Sequence, residues 1–109
     1  MAEFEPRNLG NGQLSGTKAT LYTVPVGRTA IIRSILLVNT NVSAARIVNV
    51  YVNFGSGSRR ILPRNLILSM GTKFDDNSAI TLEAGDIIEG QADNPAEVDY
   101  IISGVEGDA

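Results

Sequence analysis

"RTAIIRSILLVNTNVSAARIVNVYVNFGSG", residues 28 to 57, sets two apolar runs around a loop of Asn, Thr, Ser and Ala and ends in a Gly-Ser-Gly tip. In the second run Val48, Val50, Val52 and Phe54 alternate with Ile47, Asn49, Tyr51 and Asn53, the period of a strand with one buried face. In the first run both alternating sets are largely apolar. Ala30, Ile32, Ser34, Leu36 and Val38 line one face; Ile31, Arg33, Ile35, Leu37 and Asn39 line the other. Such a strand is central, or is covered on its second side. Arg33 interrupts an apolar row and must meet a carboxylate or reach the rim.

The rest of the chain carries the same signals. "ATLYTVPVG" reads as a strand stopped by Pro25 and Gly27, because proline cannot donate to a ladder. "RRILPRNLILSMG" offers one or two short strands broken at Pro63, and "AITLEAGDIIEGQA" a strand, a tight turn at Ala84-Gly85-Asp86 and a second strand. "VDYIISGVE" alternates Val98, Tyr100 and Ile102 against Asp99, Ile101 and Ser103. Turn signals recur about every 8–12 residues, the spacing of a sandwich or barrel, and no window has capped helical periodicity. The expected fold is all-β with almost no helix: an antiparallel β-sandwich of jelly-roll type, of about seven to eight strands. Residues 14–109 form the sandwich; residues 1–13, polar and rich in Gly and Asn, read as a flexible N-terminal arm.

A chain of 109 residues is one domain on length, and 43% hydrophobic with 19% charged residues is an ordinary globular composition. Without Cys there is no disulfide, thiolate metal site or nucleophilic thiol; without His the usual general base and commonest metal ligand are missing. The start "MAEFEPRNLG" lacks a basic flank and an apolar stretch, so no signal peptide is expected. The longest aliphatic run, Ile35 to Val38, is too short to cross a bilayer. The net charge of −3 is unevenly placed: residues 6–74 hold all nine basic side chains and no acid, residues 75–109 ten acids and no base. Either strands of the two halves interleave and pair their charges, or a basic surface meets an acidic one on a neighbouring molecule.

Individual site motifs are weak. "FGSGSRR" resembles an anion nest, yet lacks the strand–loop–helix setting of a phosphate loop and fits a hairpin tip better. Asp75, Asp76, Asn77 and Asp86 are oxygen donors without EF-hand spacing, and turn Asp and Asn more often bond their own backbone. Asp93, Glu97 and Asp99 are carboxylates with nothing to mark a glycosidase pair. The basic stretch lacks the interleaved aromatics of a nucleic-acid groove in a chain that is acidic overall. Asn41-Val42-Ser43 is formally a glycosylation sequon, without meaning where no secretion is expected. The expectation is no enzyme, no cofactor, no metal, no membrane and no direct nucleic-acid contact.

The stretches "LYTVPVGRTAIIRSI", the "VNTNVSAA" hairpin, "VYVN", "LEAGDII" and the closing "ISGVE" together resemble small virion proteins of tailed bacteriophages, over about residues 16 to 106. The resemblance implies a β-sandwich that assembles symmetrically with itself and docks on a capsid or tail, so its location would be the virion. The leading expectation is a capsid decoration (cement) protein, a homo-oligomer with a trimer favoured, that binds the major capsid protein and stabilises the head against internal DNA pressure. The alternatives are a tail adaptor, baseplate or fibre-associated ring subunit, distinguished by copy number, and a carbohydrate-binding sandwich for host attachment. Partner-binding residues are expected at Phe4 and Arg7 in the arm and at Arg28, Arg46, Arg59, Arg60 and Arg64, whose guanidiniums suit carboxylates. The second apolar row, Ile31, Ile35 and Leu37, is the expected subunit interface.

Overall fold

The computed structural model describes residues 4–108. It contains ten strands and, among the described residues, no helix: β1 (Glu5–Gln13), β2 (Ala19–Thr23), β3 (Arg28–Asn39), β4 (Arg46–Asn53), β5 (Ser58–Arg60), β6 (Leu66–Leu68), β7 (Lys73–Asp76), β8 (Ile80–Glu83), β9 (Ile87–Ala92) and β10 (Val98–Asp108). They form two antiparallel sheets. Sheet A runs β1-β10-β3-β7, with β8 also on β3; sheet B runs β2-β9-β4-β5, with β6 also on β4. The pairs nest: β1 with β10, β2 with β9, β3 with β7 and β8, β4 with β5 and β6. This is one long hairpin folded over itself, the order of a jelly roll.

The count exceeds seven to eight because two rungs are each split. Residues 61–65, with Pro63 and with Asn65 at φ 54, separate β5 from β6 along the same partner. Residues 77–79 separate β7 from β8 along β3. The stretch read as a "VNTNVSAA" hairpin is instead a crossover, since β3 and β4 belong to different sheets. β8 and β9 likewise turn a corner, at Gly85 (φ 90), rather than pairing with each other.

The N-terminal arm needs correction as well. Glu5–Gln13 is an edge strand paired with β10 from Glu5↔Glu106 to Gln13↔Asp99, so backbone hydrogen bonds hold a segment whose polar composition suggested none. Residues 1–3 of that arm, and Ala109 of the sandwich, lie outside the described residues.

β4 follows its alternation: Val48, Val50 and Val52 are buried between the sheets. β3 does not. Ala30 and Ile32 point inward, and so do Ile35, Leu37 and Asn39. The phase slips because β10 advances one residue, Ser103 to Gly104, while β3 advances two, Ser34 to Ile32. Arg33 is the extra residue of this bulge, and a bulge frees its extra side chain from the alternation. Arg33 therefore reaches the surface. Ile35 and Leu37, expected at a subunit interface, are 1% and 0% exposed in the single chain. They belong to the sandwich core, where each contributes about 1.5–3 kcal/mol. Ile31 stays on the outer face, half-buried, opposite Val105 and Thr81.

Candidate interaction surfaces

The expected basic set is not one patch. At one end of the sandwich, where β3 begins and β10 ends, Arg28 Nη1 donates to Asp108 at 2.8 Å and Nη2 lies 3.4 Å from Glu106. Tyr22 Oη donates to the same Glu106 at 2.7 Å. Burial, with that hydrogen bond, pushes the Tyr22 phenol well above the usual tyrosine range. Arg7 lies 4.0 Å from Glu106 and 3.4 Å from Glu5. Arg28 is thus engaged within its own chain.

At the opposite end Glu97 is the hub. Arg46 donates to it twice, at 3.1 and 3.2 Å; Asn94 donates at 2.9 Å, and Asn41 donates through Nδ2. Asn41 Oδ1 in turn accepts from the amides of Ser43 and Ala44 at 2.8 and 3.0 Å, which shapes the crossover loop. The amides of Asn94 and Asn41, with the Arg46 guanidinium, hold the Glu97 carboxyl below its usual value of 4.5. The unfolded chain takes up a proton near 4.5 while the folded chain resists. The contribution is therefore complete above that value and is lost as pH falls through the lower folded one. Glu97→Gln is expected to lower the melting temperature at neutral pH, with the gap to the parent narrowing below about pH 4.5. A gap unchanged down to about pH 3 in pH-resolved thermal melts would show that the carboxylate charge is irrelevant there.

On the outer face of sheet B, Lys18 Nζ lies 4.2 Å and Arg60 Cζ 4.8 Å from the centroid of the Tyr51 ring. Arg60 also donates to Asn49 at 2.5 Å, and Lys18 donates to Ser58 at 2.9 Å. Arg60 is thus committed locally. Apart from Arg7–Glu5, every ion pair among the described residues joins the basic segment to the acidic one. The interleaving of halves accounts for much of the charge asymmetry.

Arg33, Arg59, Arg60, Arg64 and Lys73 make no ion pair among the described residues, though Arg60 is held by Asn49 and the Tyr51 ring. Of the expected partner-binding residues, then, Arg59 and Arg64 are free cations, while Arg7, Arg28, Arg46 and Arg60 are engaged. Phe4, just before β1, is 41% exposed.

Sheet A presents the other surface. Its outer rows place Leu36 beside Ile101, which is 40% exposed, and Ile31 beside Val105. An open groove of about 710 Å³ runs along this face past Pro6, Asn8, Arg33, Ser103 and Val105. It carries apolar surface with one uncompensated guanidinium. The sequence reading missed Leu36 because strict alternation assigns the outer face of β3 the wrong set, with the Arg33 interruption as the available signal; alternation sets Ile101 on one row with Asp99 and Ser103 but does not tie it to the outer row of β3.

Among the described residues no three His, Cys, Asp or Glu side chains converge, and no buried side-chain nitrogen or oxygen lacks a partner. Asp76 accepts from the Ser78 amide at 3.0 Å and Asp86 from the Glu83 amide at 2.9 Å, turn carboxylates bonding their own backbone.

No family model matches the chain, and no curated protein matches it by sequence. Solved structures share the fold. A chain in the structure of infectious bursal disease virus, Gx strain, superposes with a TM-score of 0.56 at 11% identity over 98% of this chain and 32% of that one. This chain therefore spans about a third of that viral chain's length. A chain of Bacillus endospore appendages, described as disulfide-linked pili, superposes with a TM-score of 0.52 at 9% identity, over 99% of this chain and 87% of that one. A pentameric capsid protein from metagenomic phage sequences gives 0.46 at 18% identity, over 93% and 60%. At these identities the likeness is one of fold.

Proposed function

We propose that this chain is a non-catalytic structural subunit of a virus particle, acting as a decoration protein on the head of a tailed phage. The observation that carries the reading is the outer face of sheet A: a half-exposed apolar strip, Ile31, Leu36, Ile101 and Val105, beside the unpaired Arg33. Such a face is built to be covered. The jelly-roll order and the likeness to a chain of a virus particle support the same reading, as does the resemblance of the sequence to small tailed-phage virion proteins. In this reading the strip packs against a neighbouring copy, three copies closing a ring, while Arg33, Arg64 and Lys73 meet carboxylates of the coat.

A second reading, a subunit of a non-viral filament, is favoured by the endospore appendage chain, 87% of which is covered. The present chain has no Cys, so any filament it formed would lack the disulfide links of those appendages.

Light scattering after size exclusion tests the proposal. The parent is expected as a small ring, and Ile101→Asp as a species near the single-chain mass of 11.6 kDa with an unchanged circular dichroism spectrum. A parent that is already a single chain at high concentration would remove the self-assembly on which the proposal depends. Long polymers would favour the filament.

A further inference from the structure

Along one side of the sandwich two sheet edges face each other. β5 bonds only β4, and β8 bonds only β3, so each turns unpaired backbone groups outward. Between them lies a cleft of about 230 Å³ with Val52, Ile61 and Ile80 in its lining and Phe54, 43% exposed, also on its wall. Arg59 stands on the β5 rim without an ion pair. The volume falls below the ~300–1,000 Å³ of small-molecule sites and suits one or two side chains of an extended segment. The lining sets two guanidiniums, Arg59 and Arg60, against one carboxylate, Asp76, so apolar walls with a net positive rim call for an apolar side chain next to a carboxylate.

The chain carries such a pairing itself. Glu3 and Glu5 are the only acids before Asp75, and they flank Phe4, whose ring is 41% exposed. Phe4 precedes β1, at one edge of sheet A, whereas the cleft opens at the opposite edge, beyond β3. Three strand spacings, roughly 14 Å across the sheet, separate the two edges, so Phe4 lies at the far edge of the sheet from its own cleft.

We propose that Phe4 of one copy, with its flanking glutamates, occupies the β5–β8 cleft of the next copy, making the subunit contact head-to-tail. This rests on the self-assembly proposed above and adds a second contact to the one made by the outer strip of sheet A. A head-to-tail contact closes into a ring when its rotation closes, and otherwise runs on as a filament. The carboxylates beside Phe4 lie toward the Arg59 rim and away from Asp76 on the far rim, with Glu5 giving up its exposed 3.4 Å pair with Arg7.

The absence of native cysteine makes the test clean, since any disulfide is an introduced one. The full chain carrying Glu3→Cys and Ser78→Cys, mildly oxidised, is expected to give a ladder of covalent oligomers on a non-reducing gel. Adding Phe4→Asp is expected to reduce the ladder about tenfold, the effect of disabling a buried aromatic anchor, and Arg59→Glu to reduce it as well. A control with Glu3→Cys and Val42→Cys, the latter in the crossover loop and 81% exposed, is expected to give little product. A parent that is oligomeric by light scattering but yields no ladder, or equal ladders from both cysteine pairs, would overturn the head-to-tail contact and leave self-assembly standing. A monomeric parent would overturn both.

Discussion

Gly104→Ala is expected to cost about 3 kcal/mol or more, at the upper end of the penalties for overpacking, and so to lower the melting temperature by roughly 15 °C. A methyl group at this position would sit 2.2 Å from the carbonyl oxygen of Ile31 and 3.1 Å from Leu9 Cδ1. The first contact is with backbone in the adjacent strand of a central ladder, so no rotamer change relieves it. The strand must shift, and with it the bulge that turns Ile35 and Leu37 inward and Arg33 outward. Gly16→Ala is the comparison, because its nearest neighbour, Pro95 Cδ, is 3.6 Å away, an ordinary contact. Thermal melts of both variants decide the matter. A shift of only a few degrees for Gly104→Ala would show that the bulge relaxes freely.

The second large effect is expected at Asn39, 1% exposed and without any charged neighbour in hydrogen-bond range. Its amide Nδ2 donates to the carbonyls of Ala44, Leu68 and Ser69 at 3.0, 3.1 and 3.3 Å, and its Oδ1 accepts from the Asn41 amide at 3.0 Å. One side chain thus joins the end of β3, the crossover loop and the segment after β6. Asn39→Asp keeps the shape but replaces the donor by a carboxylate oxygen facing three carbonyls. Burying an acceptor against acceptors is expected to cost about 3 kcal/mol, measured as a lower urea midpoint with an unchanged slope. Asn39→Ala is expected to be less severe, since it leaves carbonyls unpaired but adds no charge. Equal midpoints for Asp and parent would mean that the loop carbonyls are satisfied by water.

How much of this was legible depended on how local the cause is. The strand of Val48, Val50 and Val52 could be read because its period is undisturbed, and the jelly-roll class followed from the spacing of turns. The bulge at Arg33 could not be read, because it arises from the register of β3 against β10, two strands about sixty residues apart in the chain. That one slip moved Ile35 and Leu37 from the expected interface into the core. β1 was misread for a related reason: Asn, Gly and Gln look like an arm until an edge of β10 offers them partners. Arg28 and Arg46 were plausible docking residues until the fold brought Glu106 and Glu97 to them. What a lone sequence conveyed well was periodicity; what it withheld was which distant carboxylate sits beside which guanidinium.

The nesting of the strands also imposes an order in time. β4 and β5 are neighbours in sequence and can meet as soon as both exist, whereas β1 has no partner until β10, about ninety residues later, has been made. Sheet A thus stays incomplete until β10 has been made, and Ile32, Ile35 and Leu37 wait uncovered by Ile102 and its neighbours. A chain wired in this way folds late and slowly. Its most vulnerable moment is the interval just before the eleven-residue β10 arrives.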